Sequence, residues 1–429
     1  ISSVIGGDAF PVRVDEMRCR LGEMPMLESP AALLVRGEER IGQRVGLCRG
    51  WLQADADGRV LATNVVSSLQ VPAFDNSSMD GYAIRHADYR PGVRLPIQQR
   101  VYAGDMPQPL APGQAARLFT GSLIPEGADT VIIQEDTREA DGHVEITETP
   151  RALGQHIRRR GEDTHAGRPL LAAGTVLQAA HVALLASQGL ADVPVYAKLR
   201  VGVLTTGDEL VPPGAARATQ QIYNSNASML GALVRGIGAE LTHALHARDE
   251  EADLQAALQA LVDDCDLVLS VGGVSVGEKD LVKPAIESLG GELTLWKVRM
   301  KPGKPVALAM IGDKPVVSLP GNPVSAYAVF AMLVTPLVRR MQGREELFPP
   351  VSRLPLRTEH PRQDSREEFL RVQRRTADDG GAELVPYGHQ GSGVISSLPW
   401  STGLARLPAD VRVQDRDRVP YYDLRHWLA

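Results

Sequence analysis

Between residues 199 and 343, short continuous apolar runs alternate with segments whose apolar residues recur every three to four positions. This alternation restricts the fold more than any other feature. Leu199, Val201, Val203 and Leu204 form the pattern of a buried strand, which breaks at Thr205-Thr206-Gly207. Downstream, Leu254, Leu258, Leu261, Val262 and Cys265 fall on one face of a helix over 253–264 whose opposite face carries acids. A strand over 266–271, a turn at Gly272-Gly273, a helix over 280–289 and a stop at Gly290-Gly291 follow. Strand, helix, strand, helix in this order predicts a mostly parallel sheet with helices on both faces. The ligand crevice of such a three-layer α/β domain lies outside the carboxyl ends of its strands.

The rest of the chain reads differently. At 429 residues it exceeds what one hydrophobic core organises, so several domains are expected. Over 71–160, short apolar runs at 115–119 and 130–134 are separated by Pro and Gly turns, predicting a β-rich domain without a large helix. From 344 to 429, stretches such as 369–373 and 382–386 predict a small β-domain. The pieces 10–70 and 161–198 flank the β-rich segment and are expected to meet as one domain that carries it as an insertion. An apolar content of 43% beside 23% charged residues supplies real cores. The net charge of -6 argues against wrapping a polyanion such as nucleic acid. Cys19, Cys48 and Cys265 lack the spacing of a zinc site or a disulfide framework and fit a reducing cytoplasm. No uninterrupted apolar run reaches the ~20 residues of a membrane helix, and no secretory pattern opens the chain. Ile1 stands where an initiator methionine would, so processing or trimming is expected at that end.

Chemistry is expected at the turns that follow the strands. Gly272-Gly273-Val274-Ser275-Val276-Gly277 connects a strand to a helix, where glycines let backbone N–H groups approach a phosphate; the same pair also suits a plain tight turn. Glu209, Asp249 and Asp280 follow three strand ends and gather hard oxygen ligands at one sheet edge, the donor set of a Mg2+-phosphate site. Asp249 and Asp280 also suit helix N-termini. Lys301-Pro302-Gly303-Lys304-Pro305 holds two cations in a rigid stretch, as an anion clamp would. Pro320-Gly321-Asn322-Pro323-Val324-Ser325 closes a strand over 315–319 and opens a helix over 325–341. In the β-rich segment, the polar loop from Asp75 to Tyr82 includes Asp80, and Thr120-Gly121 ends a strand.

FDNSSMDGYA at 74–83, TGSLIPEGADTVI at 120–132, RRRGED at 158–163, TTGDEL at 205–210, SVGGVSVGEKD at 270–280, KPGKP at 301–305 and SLPGNPVSA at 318–326 resemble, in this order, the molybdopterin molybdenumtransferase family, MoeA in bacteria and the E domain of gephyrin in animals. The resemblance spans nearly the whole chain and is looser over 29–57. It implies an elongated two-segment domain, an inserted β-rich domain, an α/β molybdopterin-binding domain and a C-terminal β-barrel. It implies molybdenum insertion into adenylylated molybdopterin with release of AMP, the final step of molybdenum cofactor biosynthesis, in the cytoplasm. Carried over by position, it makes Asp80, Thr120, Glu209, Asp249 and Asp280 catalytic, with Mg2+ on Asp249 and Asp280. It assigns Asp163, Gly272, Gly273, Ser275, Gly277, Lys297, Lys301, Lys304, Pro320, Pro323 and Ser325 to substrate. Arg366, Arg371 and Ser392 lie in stretches similar to the family's molybdate-contacting regions. The resemblance further implies a homodimer whose crevice joins the α/β domain of one subunit to the inserted domain of the other. Its further partners are molybdate, an adenylyltransferase and apo-molybdoenzymes. Two other readings stay open: a scaffold of the gephyrin type, and the sister adenylyltransferase, which carries GGTG where this chain has Gly272-Gly273-Val274-Ser275.

Overall fold

Four parallel strands form one side of a six-stranded sheet whose order is Glu240–Ala247, Arg200–Thr206, Leu267–Val271, Lys314–Leu319, Ala307–Ile311, Glu292–Trp296. The last two pairings are antiparallel: Ala307–Ile311 turns back into Lys314–Leu319 through a tight turn with Gly312 at φ 59°, and Glu292–Trp296 pairs antiparallel on its other side, so Ala307–Ile311 alone runs against the other five strands. The expected parallel sheet therefore carries an antiparallel edge. This computed structural model describes residues 47–51, 56–273 and 281–429.

Alternation along the strands divides the apolar residues between two helical layers. Val201, Val203, Leu267, Leu269, Val317 and Leu319 pack with Leu230 and Val234 of the helix Ser225–Gly236 and with residues 326–338. Leu204, Val268 and Val316 face the other way, toward Leu254, Leu258 and Leu261 of the helix Glu251–Asp264 and Ala285 and Ile286 of Val282–Ser288. Burial on both faces is why these strands read as continuous apolar runs.

The helix from Pro323 to Met341 passes for a membrane span by length and composition, at 19 residues and a mean hydropathy of 1.3, yet 83% of its apolar stretch is buried inside the protein. It is the central core helix. Pro323 occupies its first turn, where the missing N–H costs nothing. Pro336 is in the interior, where a regular turn would set its ring against the carbonyl four residues back. The chain widens over Phe330–Val334 into a π-helix, and the Thr335 N–H and hydroxyl both donate to the Phe330 carbonyl.

The inserted segment folds as a sheet of order Thr130–Ile133, Gly81–Ile84, Ala115–Leu118, Arg94–Val101, His143–Ile146, Thr137–Ala140, antiparallel except between 94–101 and 115–118. Between 71 and 160 the described residues contain only short 3-10 turns and no longer helix. Two compact units result, one comprising Thr63–Ala172 with Gln178–Asp192 and the other the remaining described residues. Within the first, Val65–Val66 pairs with Pro169–Leu171. Within the second, bridges join Val60 to Val176 and Leu61 to Val195.

Residues after 350 form strands ordered Glu367–Thr376, Gly403–Leu407, Arg418–Asp423, Ser352–Pro355, with Ala382–Pro386 pairing to Glu367–Thr376 and Met300–Lys301 from the preceding segment joining the same strand. A bridge from Leu356 to Leu384, with the Arg357 N–H donating to the Leu384 carbonyl at 2.9 Å, brings the first strand of this set back onto 382–386. The sheet thereby closes into a ring around Leu370, Val372, Ala405 and Tyr421.

Candidate active site

The carboxyl ends of the parallel strands bring several sequence-predicted residues together. The Thr206 hydroxyl donates to Asp249 Oδ1 at 2.8 Å, and the Asp249 N–H donates to Asp208 Oδ1 at 3.2 Å. Gly272 takes φ 98°, and a Cβ there would lie 2.9 Å from the Thr206 carbonyl oxygen, so only glycine lets the two strand ends meet. Gly273, at φ 62°, would set a Cβ 2.8 Å from Val282 Cγ2. The Gly272 N–H is already given to the Leu319 carbonyl at 3.3 Å, so an anion at this turn must draw on other N–H groups, beginning with that of Gly273. Ser275, Gly277 and Asp280 lie outside the described residues. Glu209 is exposed, its carboxylate folded over Gly207.

Two asparagines that sequence reasoning left aside tie this edge together. Asn224 caps its helix by accepting from the Ala227 N–H, and its Nδ2 donates to Thr205 Oγ1 at 2.8 Å. Asn226 Nδ2 donates to the Gly321 carbonyl at 2.7 Å, locking the 320–323 turn to the first turn of that helix. The polar run Asn224-Ser225-Asn226 ahead of an apolar period is a capping signal. Which strand ends it joins is decided by sheet order, which no local pattern carries.

The expected anion clamp has a different shape. Lys301 Nζ sits 2.9 Å from Asp364 Oδ2 and 3.0 Å from Glu368 Oε1. Arg366 also reaches Asp364, and Arg362 reaches Glu368. Lys301, with help from Arg366, holds the Asp364 carboxyl down at about 2. The Lys301 charge is thus offset within the protein, whereas Lys304 is exposed. Lys297 adopts φ 68° and places Nζ 5.8 Å from the Trp296 ring. Pro320 and Ser325 are buried, and the Val324 N–H beside Pro323 donates to the Ser392 carbonyl at 3.1 Å. Arg371, expected at molybdate, is 1% exposed and donates to Ser397 Oγ and to the carbonyls of His389 and Gly391. It braces the loop that carries Ser392, and burial draws its pKa down to about 10.

In the inserted sheet, Asp80 Oδ1 accepts from both the N–H and the hydroxyl of Thr120, at 2.8 and 2.7 Å. These bonds hold the carboxyl below its ordinary range. The sequence left the pairing of Asp80 with Thr120 open; register supplies it, since Gly81 lies opposite Leu118. Asp163 is exposed, and its carbonyl accepts from Arg168.

Among the described residues no three His, Cys, Asp or Glu side chains gather closely enough to hold a metal ion by themselves. Asp208, Glu209 and Asp249 nonetheless supply hard oxygens at the strand ends. That set fits a cation that keeps water and substrate phosphate in its shell.

Comparison with known proteins agrees with this architecture. Residues 36–189 match the MoeA N-terminal region (domain I and II), 202–340 a probable molybdopterin binding domain, and 353–424 the MoeA C-terminal region (domain IV). The chain is 37% identical to the molybdopterin molybdenumtransferase of Haemophilus influenzae, across 80% of this chain and 85% of that protein. It is 36% identical to molybdopterin molybdenumtransferase 2 of Mycobacterium tuberculosis, across 83% and 90%. A solved molybdopterin biosynthesis MoeA protein of Pyrococcus horikoshii superposes with a TM-score of 0.78 at 28% identity, across 92% of this chain and 100% of that one. Sequence order, sheet topology and these likenesses converge: the chain belongs to the molybdopterin molybdenumtransferase family.

Proposed function

We propose that this enzyme inserts molybdenum from molybdate into adenylylated molybdopterin and releases AMP, completing molybdenum cofactor biosynthesis. The observation that carries the reading is the acidic edge of Thr206, Asp208 and Asp249 set directly against the left-handed Gly272-Gly273 turn. A diphosphate held at the turn would present its non-bridging oxygens to a cation held at that edge. Asp249, with Asp280, would hold Mg2+, which supplies positive charge against the anhydride when bound. Thr206 fixes the Asp249 carboxylate through Oδ1, leaving Oδ2 for the ligand side. Glu209 would orient water or substrate, and exposed Lys304 would meet the incoming oxyanion. Matches to the N- and C-terminal regions of the family favour this reading over the adenylyltransferase, whose likeness covers the α/β domain alone.

The test mixes the protein with adenylylated molybdopterin, molybdate and Mg2+, following AMP release and activation of an apo-molybdoenzyme. Molybdate-dependent release is expected, and Asp249→Asn should slow it about 100-fold or more, as loss of a positioned charge does. Tight substrate binding with no release would sink the proposal in favour of a scaffold. Consumption of ATP with unmodified molybdopterin would point to the adenylyltransferase.

A further inference from the structure

Beside the Asp80–Thr120 pair, four side chains stack from the core outward. The Arg117 guanidinium lies 4.9 Å from the Tyr82 ring centroid and 5.0 Å from that of Phe119. Phe119 in turn stacks on Tyr102, with centroids 4.5 Å apart and planes within 8°. Exposure rises along the series: Tyr82 is 3% exposed, Arg117 9% and Tyr102 54%. Arg117 is fixed, donating to Gln134 Oε1 at 2.7 Å and to the Gly81 carbonyl. Tyr102 is fixed at its backbone: its N–H donates to Asp105 Oδ2, and its carbonyl accepts from the Asp105 N–H across a turn with Gly104 at φ 97°.

A single exposed tyrosine is ordinary. An exposed ring held parallel to a second ring, with a buried cation beneath, is a pre-ordered stacking surface. It stands at the same sheet end as the acid: Phe119 directly precedes Thr120, and a Cβ on Gly121 would touch Ala103. Met79, next to Asp80, and Met106, next to Asp105, add exposed apolar side chains from the same two loops, at 46% and 81%. Both Thr120 bonds go to Asp80 Oδ1, so Oδ2 can accept from an N–H at the edge of a stacked ring.

We propose that Tyr102, backed by Phe119 and Arg117, is the stacking surface for the flat fused nitrogen heterocycle of the substrate and is a specificity-determining residue of this enzyme. That the heterocycle is a pterin or an adenine rests on the molybdenum-transfer reading; the stacking surface itself does not.

The experiment compares wild type, Tyr102→Ala, Tyr102→Phe and Phe119→Leu in two assays. The first titrates AMP and, separately, free pterin into each protein by calorimetry, without turnover. Stacking on an aromatic side chain predicts a loss of about tenfold in Tyr102→Ala for one of the two rings, with recovery in Tyr102→Phe. Which ring weakens identifies the part of the substrate held there. The second assay follows AMP release, where Tyr102→Ala should raise KM about tenfold with kcat nearly unchanged. Equal melting temperatures show that the sheet is intact; if Tyr102→Ala melts early, Phe119→Leu, which keeps the tyrosine but loosens its backing, decides the matter. Unchanged affinities and unchanged KM in the variants overturn the proposal, as does a wild type that binds neither ring. A wild type that binds one ring through Tyr102 but never releases AMP would sink the molybdenum-transfer reading and leave the stacking surface standing.

Discussion

Thr206 shows how a residue without an obvious signal can set a site. Its hydroxyl orients Asp249 from the end of a neighbouring strand, and valine would keep the shape while removing the bond. Thr206→Val should cost about tenfold in kcat, the scale of one hydrogen bond to a charged group, with little change in melting temperature; an unchanged kcat would show that Asp249 needs no such support. Lys301 shows a second limit. Its Pro-Gly surroundings suggested an anion ligand, and its carboxylate partners Asp364 and Glu368 lie more than sixty residues away, where no spacing rule reveals them. The folded pKa of Asp364, at about 2, lies below its ordinary 3.8. The bond therefore contributes stability that is complete above about pH 4 and is lost as pH falls through 2. Lys301→Met should be destabilised by about 1 kcal/mol near neutral pH, a figure discounted for the lysine's partial exposure. Urea melts at pH 7 and pH 3 check this, since the gap must narrow at the lower pH.

Elements were legible where burial imposes a period. The strand at 200–206 and the helix at 251–264 follow directly from their apolar spacing, because each buries a defined face. The antiparallel edge was not legible, since alternation reports burial and not strand direction. Nor was the π-turn, which arises from Pro336 meeting a helix too well packed to kink. Gly81 exposes another limit: the family pattern included it, but only the sheet explains it. A Cβ there would fall 2.0 Å from the Ile132 carbonyl oxygen, between two paired strands. Gly81→Ala should push the strand off its partner, lowering stability by about 2 kcal/mol or more and displacing the neighbouring Asp80. A normal melting temperature and a normal KM in that variant would contradict this packing.

For the whole molecule, the segments were told apart by composition, and a chain of this length was expected to form several domains. The 71–160 segment forms a six-stranded sheet and a two-stranded one of Asn76–Ser77 with Ile157–Arg158, while Pro323–Met341 binds the α/β layers through a core that reaches Phe369, Leu404 and Trp427. We propose, as the family resemblance implies, that the chain forms a homodimer: light scattering should read about twice the chain mass of 46.3 kDa, and a monomeric reading at working concentration would refute it. The C-terminal ring has a consequence for how the protein ages in solution. Its other strand pairs share several ladder bonds, but the backbone pairing at the seam of Leu356 and Leu384 is a single bridge, with the Arg357 side chain reaching Glu383 beside it. Local opening there exposes two unsatisfied strand edges without unfolding the rest. Deuterium should enter the Arg357 amide before the amides of 403–407, and storage-induced clumping should begin at that parted seam.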